Sequence, residues 1–333
     1  MGKTVPTIGD VARRAFVSKT TVSHVVNGTR FVEEDTKQRV LAAIAELGYR
    51  PSNVARSLTT KRTGSIGIIV SDASNQFFGE MLRGVEEAIK PAGYTLIVCN
   101  TDESLDREEH YLNLLLSQRV DGIIAAATSQ KWAVLAMAEA RQTPIVFVDR
   151  RFDGLDGPYV GADNAGGAYK GARFLIERGY RRIGVVAGFQ RLSSMRERLQ
   201  GFRQALAEAN IPLPEEWVAT SELSIEAGRA ATRRLLTATN RPAALFVNNN
   251  LLSLGALLAL RDLQLRCPED IALACFDDHP WAAVCAPPLT VVSQPARSIG
   301  HCAADILCTL IKGEAIAEPV VEFACELIVR QSC

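Results

Sequence analysis

From residue 65 onward, short apolar runs alternate with amphipathic stretches of helix length, and this alternation limits the fold more than any other feature. The runs at 65–70, 95–99, 122–126 and 144–148 have strand length; the stretches that follow them, such as 78–92 and 106–118, have helix length. Alternation at this spacing builds parallel sheets with helices on both faces, because two parallel neighbours need a crossover between them. The pattern restarts at 182–187, 243–247 and 271–276, so two doubly wound subdomains are expected. Further apolar runs at 290–293 and 320–323 imply that the chain crosses back between them. The predicted α/β core covers 63–333, with an N-subdomain over about 63–160 and 291–320 and a C-subdomain over about 161–290 and 321–333. Ligands of such sheets sit outside the carboxyl ends of the strands, so a cleft between the subdomains is the expected pocket.

The first sixty residues follow a helical rule instead. Thr7 is an N-cap candidate, and Ile8, Val11, Ala12 and Ala15 fall on one face of the helix it opens. Ser18 can cap a second helix over 19–26 with Val22, Val25 and Val26 inward, stopped at Asn27-Gly28. A third, over 33–47, turns Val40, Ala43, Ile44 and Leu47 inward and stops at Gly48. Two short helices joined by a tight turn and braced by a third make a helix-turn-helix, which is expected over 1–49, with 50–62 as a hinge. Lys19, Thr20, Ser23 and His24 leave the outer face of the second helix polar and rich in donors. Residues 1–62 hold eleven Lys and Arg against five Asp and Glu, while the whole chain holds 37 of each, so a head of +6 precedes a body of −6. That division points to a polyanion as the partner of the head alone.

Several function classes are disfavoured. The first ten residues lack the apolar core of a signal peptide, and no stretch reaches the roughly 18 consecutive apolar residues of a membrane span. The eight cysteines (99, 267, 275, 285, 302, 308, 325 and 333) show no CxxC or paired metal spacing, and they read as reduced, mostly buried thiols of a cytoplasmic protein. The four histidines (24, 110, 279 and 301) include no HxxxH pair, and neither a GxSxG nor a phosphate-binding loop occurs. No catalytic activity, metal or cofactor is therefore expected.

TIGDVARRAFVSKTTVSHVVNG and ELGYRPSNVARSL, read together with the core, resemble the LacI/GalR family of bacterial repressors across essentially the whole chain. The resemblance implies that Lys19, Thr20 and His24 read base edges in the major groove of a pseudo-palindromic operator. It implies phosphate contacts for Thr7, Ser18, Thr21, Ser23, Asn27 and Arg30. In the hinge, Leu58 resembles a wedge between central base pairs in the minor groove, with Ala55 on the groove floor and Asn53 and Arg56 near the backbone. A paired hinge needs two chains, and the sequence has no leucine-heptad tail after its last strand, so a homodimer is expected. Phe16 departs from the family by standing where glycine is usual, and a bulky residue there predicts an altered turn.

The core is also similar to periplasmic sugar-binding proteins, the ribose-binding type in particular. SNQFF, VDRR, RERLQGF, NNN, CFDD and VSQP carry this resemblance at strand or helix ends. It implies an effector site of Asn75, Phe77, Asp149, Arg150, Arg198, Asn249, Asp277 and Gln294, with Leu223 where a second stacking aromatic is usual. Such a set supplies donors and acceptors for the edge of a sugar ring and an aromatic for its apolar face. The expected function is a repressor whose operator affinity is controlled by a ribose-like sugar, release being the default direction. The alternatives are a sugar acid, favoured by Arg150, Arg151 and Arg198 together, a purine, or a sugar-binding protein without a regulatory role.

Overall fold

The computed structural model describes residues 6–28, 30–49, 62–128, 138–139, 141–151 and 157–333, which fall into two compact units, Met1–Gly64 and Ser65–Cys333. The first unit is all-helical: α1 (Ile8–Ala15), α2 (Lys19–Asn27) and α3 (Glu34–Leu47). Thr7 and Asp10 cap α1 reciprocally, and the Ser18 hydroxyl accepts the Thr21 N–H at 3.0 Å to cap α2. Val11, Ala12, Ala15, Val22, Val40 and Ala43 are buried together, with Ile8, Val25, Val26, Ile44 and Leu47 packed against them. Gly28 and Gly48 end α2 and α3 in the left-handed region, both at φ 62°. The turn at Phe16 keeps a left-handed residue despite the bulk of its side chain. Phe16 itself adopts φ 55°, ψ 45°, and its N–H reaches the Ala12 and Arg13 carbonyls, so the aromatic takes a backbone conformation suited to glycine and projects its ring into solvent.

The second unit holds two six-stranded sheets. In the first, β1 (Ser65–Val70), β2 (Thr95–Asn100), β3 (Gly122–Ala125), β4 (Ile145–Val148), β5 (Tyr159–Ala162) and β11 (Val320–Phe323) lie in the order 11-5-4-3-1-2, all parallel. The second has the order 12-10-9-8-6-7. It contains β6 (Ile183–Ala187), β7 (Val218–Thr220), β8 (Ala244–Val247), β9 (Ala272–Phe276), β10 (Thr290–Ser293) and β12 (Glu326–Ile328), parallel except for the β10–β12 pair. Both sheets are therefore doubly wound, each with a switch of direction beside its first strand, where a crevice opens at the strand ends.

Helices α4 (Gln76–Ile89) and α5 (Leu105–Ser117) belong to the first subdomain. α6 (Asn164–Glu177), α7 (Ser193–Glu208), α8 (Ile225–Thr237), α9 (Asn250–Asp262) and the short α10 (Pro280–Val284) belong to the second. α11 (Ala296–Lys312) returns to the first and packs on α4. The contact is backbone-close: a Cβ on Gly84 would sit 2.0 Å from the Arg297 carbonyl oxygen, and one on Gly300 would sit 2.0 Å from that of Met81.

The sequence-based subdomain limits need correction at both returns. Residues 290–293 pair in the second sheet and 320–323 in the first, so the chain leaves the second subdomain after Ser293 and re-enters it only after Phe323. Each strand completes its ladder before the crossover, which displaces both boundaries by about three residues. Among the described residues, no helix is long and apolar enough to cross a membrane. All eight cysteines are free thiols, but only Cys99, Cys275 and Cys325 are buried, the other five being half-buried.

Candidate effector cleft and nucleic-acid interface

Strand ends from both sheets converge on a cavity of about 250 Å³. Asn75, Phe77, Asp149, Arg150, Arg198, Leu223, Asn249, Asp277 and Gln294 all line it. Asn75 caps α4 after β1, its Oδ1 accepting the Phe77 N–H at 3.1 Å; Asn249 caps α9 after β8 in the same way, accepting from Leu251 at 2.9 Å. Asp149 and Asp277 occupy equivalent places at the ends of β4 and β9, in left-handed conformations with φ 64° and 75°. A non-glycine residue held there costs of order 1–3 kcal/mol, and in both cases the turn presents a buried carboxylate to the cavity.

The cationic groups of the cavity are already engaged. Arg150, only 3% exposed, donates from Nη1 and Nη2 to the two carboxylate oxygens of Glu103 at 2.9 and 2.5 Å, and its Nε lies 3.1 Å from Asp149 Oδ2. Arg198, 2% exposed, lies 3.8 Å above the centre of the Phe276 ring. Its Nε donates to Asn164 Oδ1 at 2.8 Å and its Nη1 to the Asn248 carbonyl at 2.7 Å, with Asp277 Oδ2 at 3.7 Å. Gln294 Nε2 donates to the other oxygen of Asp277 at 2.6 Å. Burial pushes the Asp149 carboxyl above the ordinary aspartate range, reinforced by Asp277 and Glu103, while Arg150 and Arg198 pull it down.

Glu103, Asp102, Asp72, Ser71, Ser194 and Met195 also form the wall and were not singled out from the sequence. Asp102 and Glu103 follow β2 directly, at φ 50° and 57°, so the same strand-end rule that located Asp149 applied to them as well. Ser194 is buried in the wall and its hydroxyl has no hydrogen-bond partner among the described residues. Arg151 is not part of the wall. It pairs with Glu322 at 2.5 Å, its guanidinium lies 4.5 Å over the Tyr159 ring, and its backbone N–H donates to Ser193 Oγ at 2.8 Å. Three arginines gathered for a sugar acid are thus not what the cleft offers.

In the helical unit, Lys19 and Thr20 are exposed on the first turn of α2, and Thr21, Ser23 and His24 are half-buried farther along it. The Lys19 stem lies against Gly9 of α1, where an added Cβ would come within 3.2 Å of Lys19 Cε. The hydroxyls of Thr7 and Ser18 serve as helix caps, Ser18 Oγ also meeting Thr21 Oγ1 at 2.9 Å. Arg30 is exposed just beyond α2. Asn53, Ala55, Arg56, Leu58 and the rest of the 50–61 hinge lie outside the described residues, as does the side chain of Asn27.

The profile of bacterial regulatory proteins, lacI family, matches residues 7–52, and that of a periplasmic binding protein-like domain matches residues 172–333. The HTH-type transcriptional repressor PurR of Aliivibrio salmonicida (strain LFI1238) is 38% identical over 330 residues, covering 98% of each chain. A crystal structure of a putative ribose operon repressor from Burkholderia thailandensis is 35% identical with a TM-score of 0.74, covering 80% of this chain and 99% of that one. The lac repressor dimer bound to operator and the anti-inducer ONPF is 27% identical with a TM-score of 0.87, covering 99% of both chains.

Proposed function

Because the chain belongs to the lacI family of bacterial transcriptional repressors, we propose that it is a cytoplasmic homodimer whose operator affinity is lowered by a neutral, ribose-like sugar bound in the cleft. The observation that carries the sugar is the charge arrangement of the cavity. Five carboxylates line it (Asp72, Asp102, Glu103, Asp149 and Asp277) against two guanidinium groups, Arg150 and Arg198, and the protein's own acids already pair with both. An anionic ligand would meet excess negative charge, whereas hydroxyl donors would meet acceptors from opposite subdomains. The volume, below the roughly 300–1,000 Å³ of drug-sized pockets, suits a single ring, with Phe77 and Phe78 on the apolar side.

A sugar bridging Asp149 and Asp277 favours closure of the cleft, and it shifts operator binding only through unequal affinity for the two states. Under this reading residues 1–49 contact operator through Lys19, Thr20 and His24, and 50–62 form the hinge. Isothermal titration against D-ribose, a hexose, a uronate and a purine base tests the effector class, with anisotropy on an operator selected in vitro run alongside. Ribose should bind and release DNA. Binding confined to the purine or the uronate would overturn the sugar assignment.

A further inference from the structure

Beside the cavity, a chain of polar side chains crosses from one subdomain to the other. Asn75 Oδ1, already accepting the Phe77 N–H, also accepts from Asn250 Nδ2 at 2.8 Å. Asn250 is the first residue of α9 and is buried; its own Oδ1 accepts the Leu251 N–H at 2.7 Å, a donor it shares with Asn249, and the Asn75 Nδ2 at 3.4 Å. Its Nδ2 lies in addition 2.5 Å from His279 Nε2.

The two backbone donors determine the direction of this chain. An amide group facing an N–H must present its oxygen, so Phe77 and Leu251 orient both amides and leave Asn250 Nδ2 as donor to each neighbour. A donor aimed at Nε2 requires a lone pair there, which places the imidazole proton on Nδ1 and makes the ring neutral. Reversing one amide to suit a protonated ring would set an NH₂ group against a backbone N–H.

We infer that Asn250 and neutral His279 are positioning residues for Asn75, tying α4 to α9 across the subdomain boundary, and that protonation of His279 undoes this tie and loosens the cleft. The consequence for effector binding rests on the function proposed above; the hydrogen-bond chain does not.

Among the surroundings of His279, burial is what favours the neutral ring. Trp281 of α10 stacks on it at 5.6 Å between ring centres. On its own loop, Asp278 is held by Arg330 through two contacts of 2.9 Å, and Asp277 is turned toward Gln294 and Arg198. α4 contributes Gln76 and Glu80 to the adjoining groove, and the start of α11 contributes Arg297, which is paired with Glu87. Burial lowers the imidazole pKa from its ordinary value against the opposing pull of Asp277 and Asp278. A lowered histidine pKa means that the tie is intact above the unfolded-state value and is lost as pH falls through the folded one.

The test is ring-¹⁵N spectroscopy on the full-length protein, with four histidines to assign and His279→Gln identifying the signal. The expected result is an Nδ1–H tautomer at pH 7.5 that titrates below ordinary histidine. Asn250→Asp replaces the donor by an acceptor, so His279 should then hold a proton at least tenfold more tightly. An Nε2–H tautomer, or a titration that Asn250→Asp leaves unmoved, overturns the inference. With D-ribose as probe, wild-type affinity should fall about three- to tenfold as His279 protonates, the worth of a single hydrogen bond. In His279→Gln, whose amide oxygen accepts at every pH, that pH dependence should vanish; its persistence would also count against the inference. Absence of ribose binding at any pH would remove the sugar assignment while leaving the tautomer result decisive for the tie.

Discussion

Glu103 decides what Arg150 can do. With both terminal guanidinium nitrogens committed to Glu103 and Nε facing Asp149, Arg150 helps to shape the wall and adds no net positive charge for a ligand to neutralise. Glu103→Gln removes that compensation. Charge-assisted hydrogen bonds contribute about 1.5–3 kcal/mol, so the ratio of uronate to ribose affinity should rise roughly ten- to a hundredfold in this variant, as read by calorimetric titration of both ligands. An unchanged ratio would mean that the cavity does not select on charge. Phe16 allows a second test at a single residue. Its left-handed backbone costs an L side chain roughly 1–2 kcal/mol, and its ring is 84% exposed and gives little packing in return. Phe16→Gly should therefore raise the stability of the helical unit by about 1 kcal/mol. Chemical denaturation followed by a probe in that unit measures this, and a loss of stability would show that the ring contributes packing after all.

At the scale of elements, α4 and α11 pack through glycine. Gly84→Ala must push its methyl into the Arg297 carbonyl, a backbone atom that cannot rotate away, so separating the helices is the only relief. Overpacking of this kind costs typically about 1–3 kcal/mol, and the thermal midpoint should fall accordingly; an unaltered midpoint would show that the helices can slide apart freely. This close approach was not visible in the sequence, because a glycine inside a helical pattern looks the same whether or not a neighbour covers it. Apolar runs of four or more residues were visible: those at 65–70 and 290–293 coincide with β1 and β10, and β9 at 272–276 lies within the run at 271–276. β7 and β12 were missed because three residues cannot display a period, and β5 because Gly161 interrupts its four. In the cleft, residues inside distinctive motifs were legible. Glu103, at a strand end, and Asn250, inside NNN itself, were passed over because what singles them out is Arg150, Asn75 and His279, partners that only the fold brings within reach.

The whole molecule divides its charge between its two binding tasks. Residues 1–62 carry a net +6 and the remainder −6, so a polyanion is attracted to the helical unit and repelled by the rest. Each phosphate neutralised by Lys or Arg releases counterions, and the logarithm of affinity falls with the logarithm of salt by about 0.9 per phosphate. Even four phosphate contacts in a complex with two helical heads would then lower operator affinity roughly a hundredfold between 50 and 200 mM salt. Under the sugar reading proposed above, ribose binding should respond quite differently. The ligand is neutral, and the arginines of the cavity are paired and shielded from the ion atmosphere, so its affinity should change little over the same range. Parallel titrations of one preparation, with operator followed by anisotropy and sugar by calorimetry, give both slopes. A flat operator slope would remove the helical unit from DNA binding. A steep ribose slope would show that charge in the cleft remains open to solvent ions, contrary to the pairing of Arg150 with Glu103 and of Arg198 with Asp277.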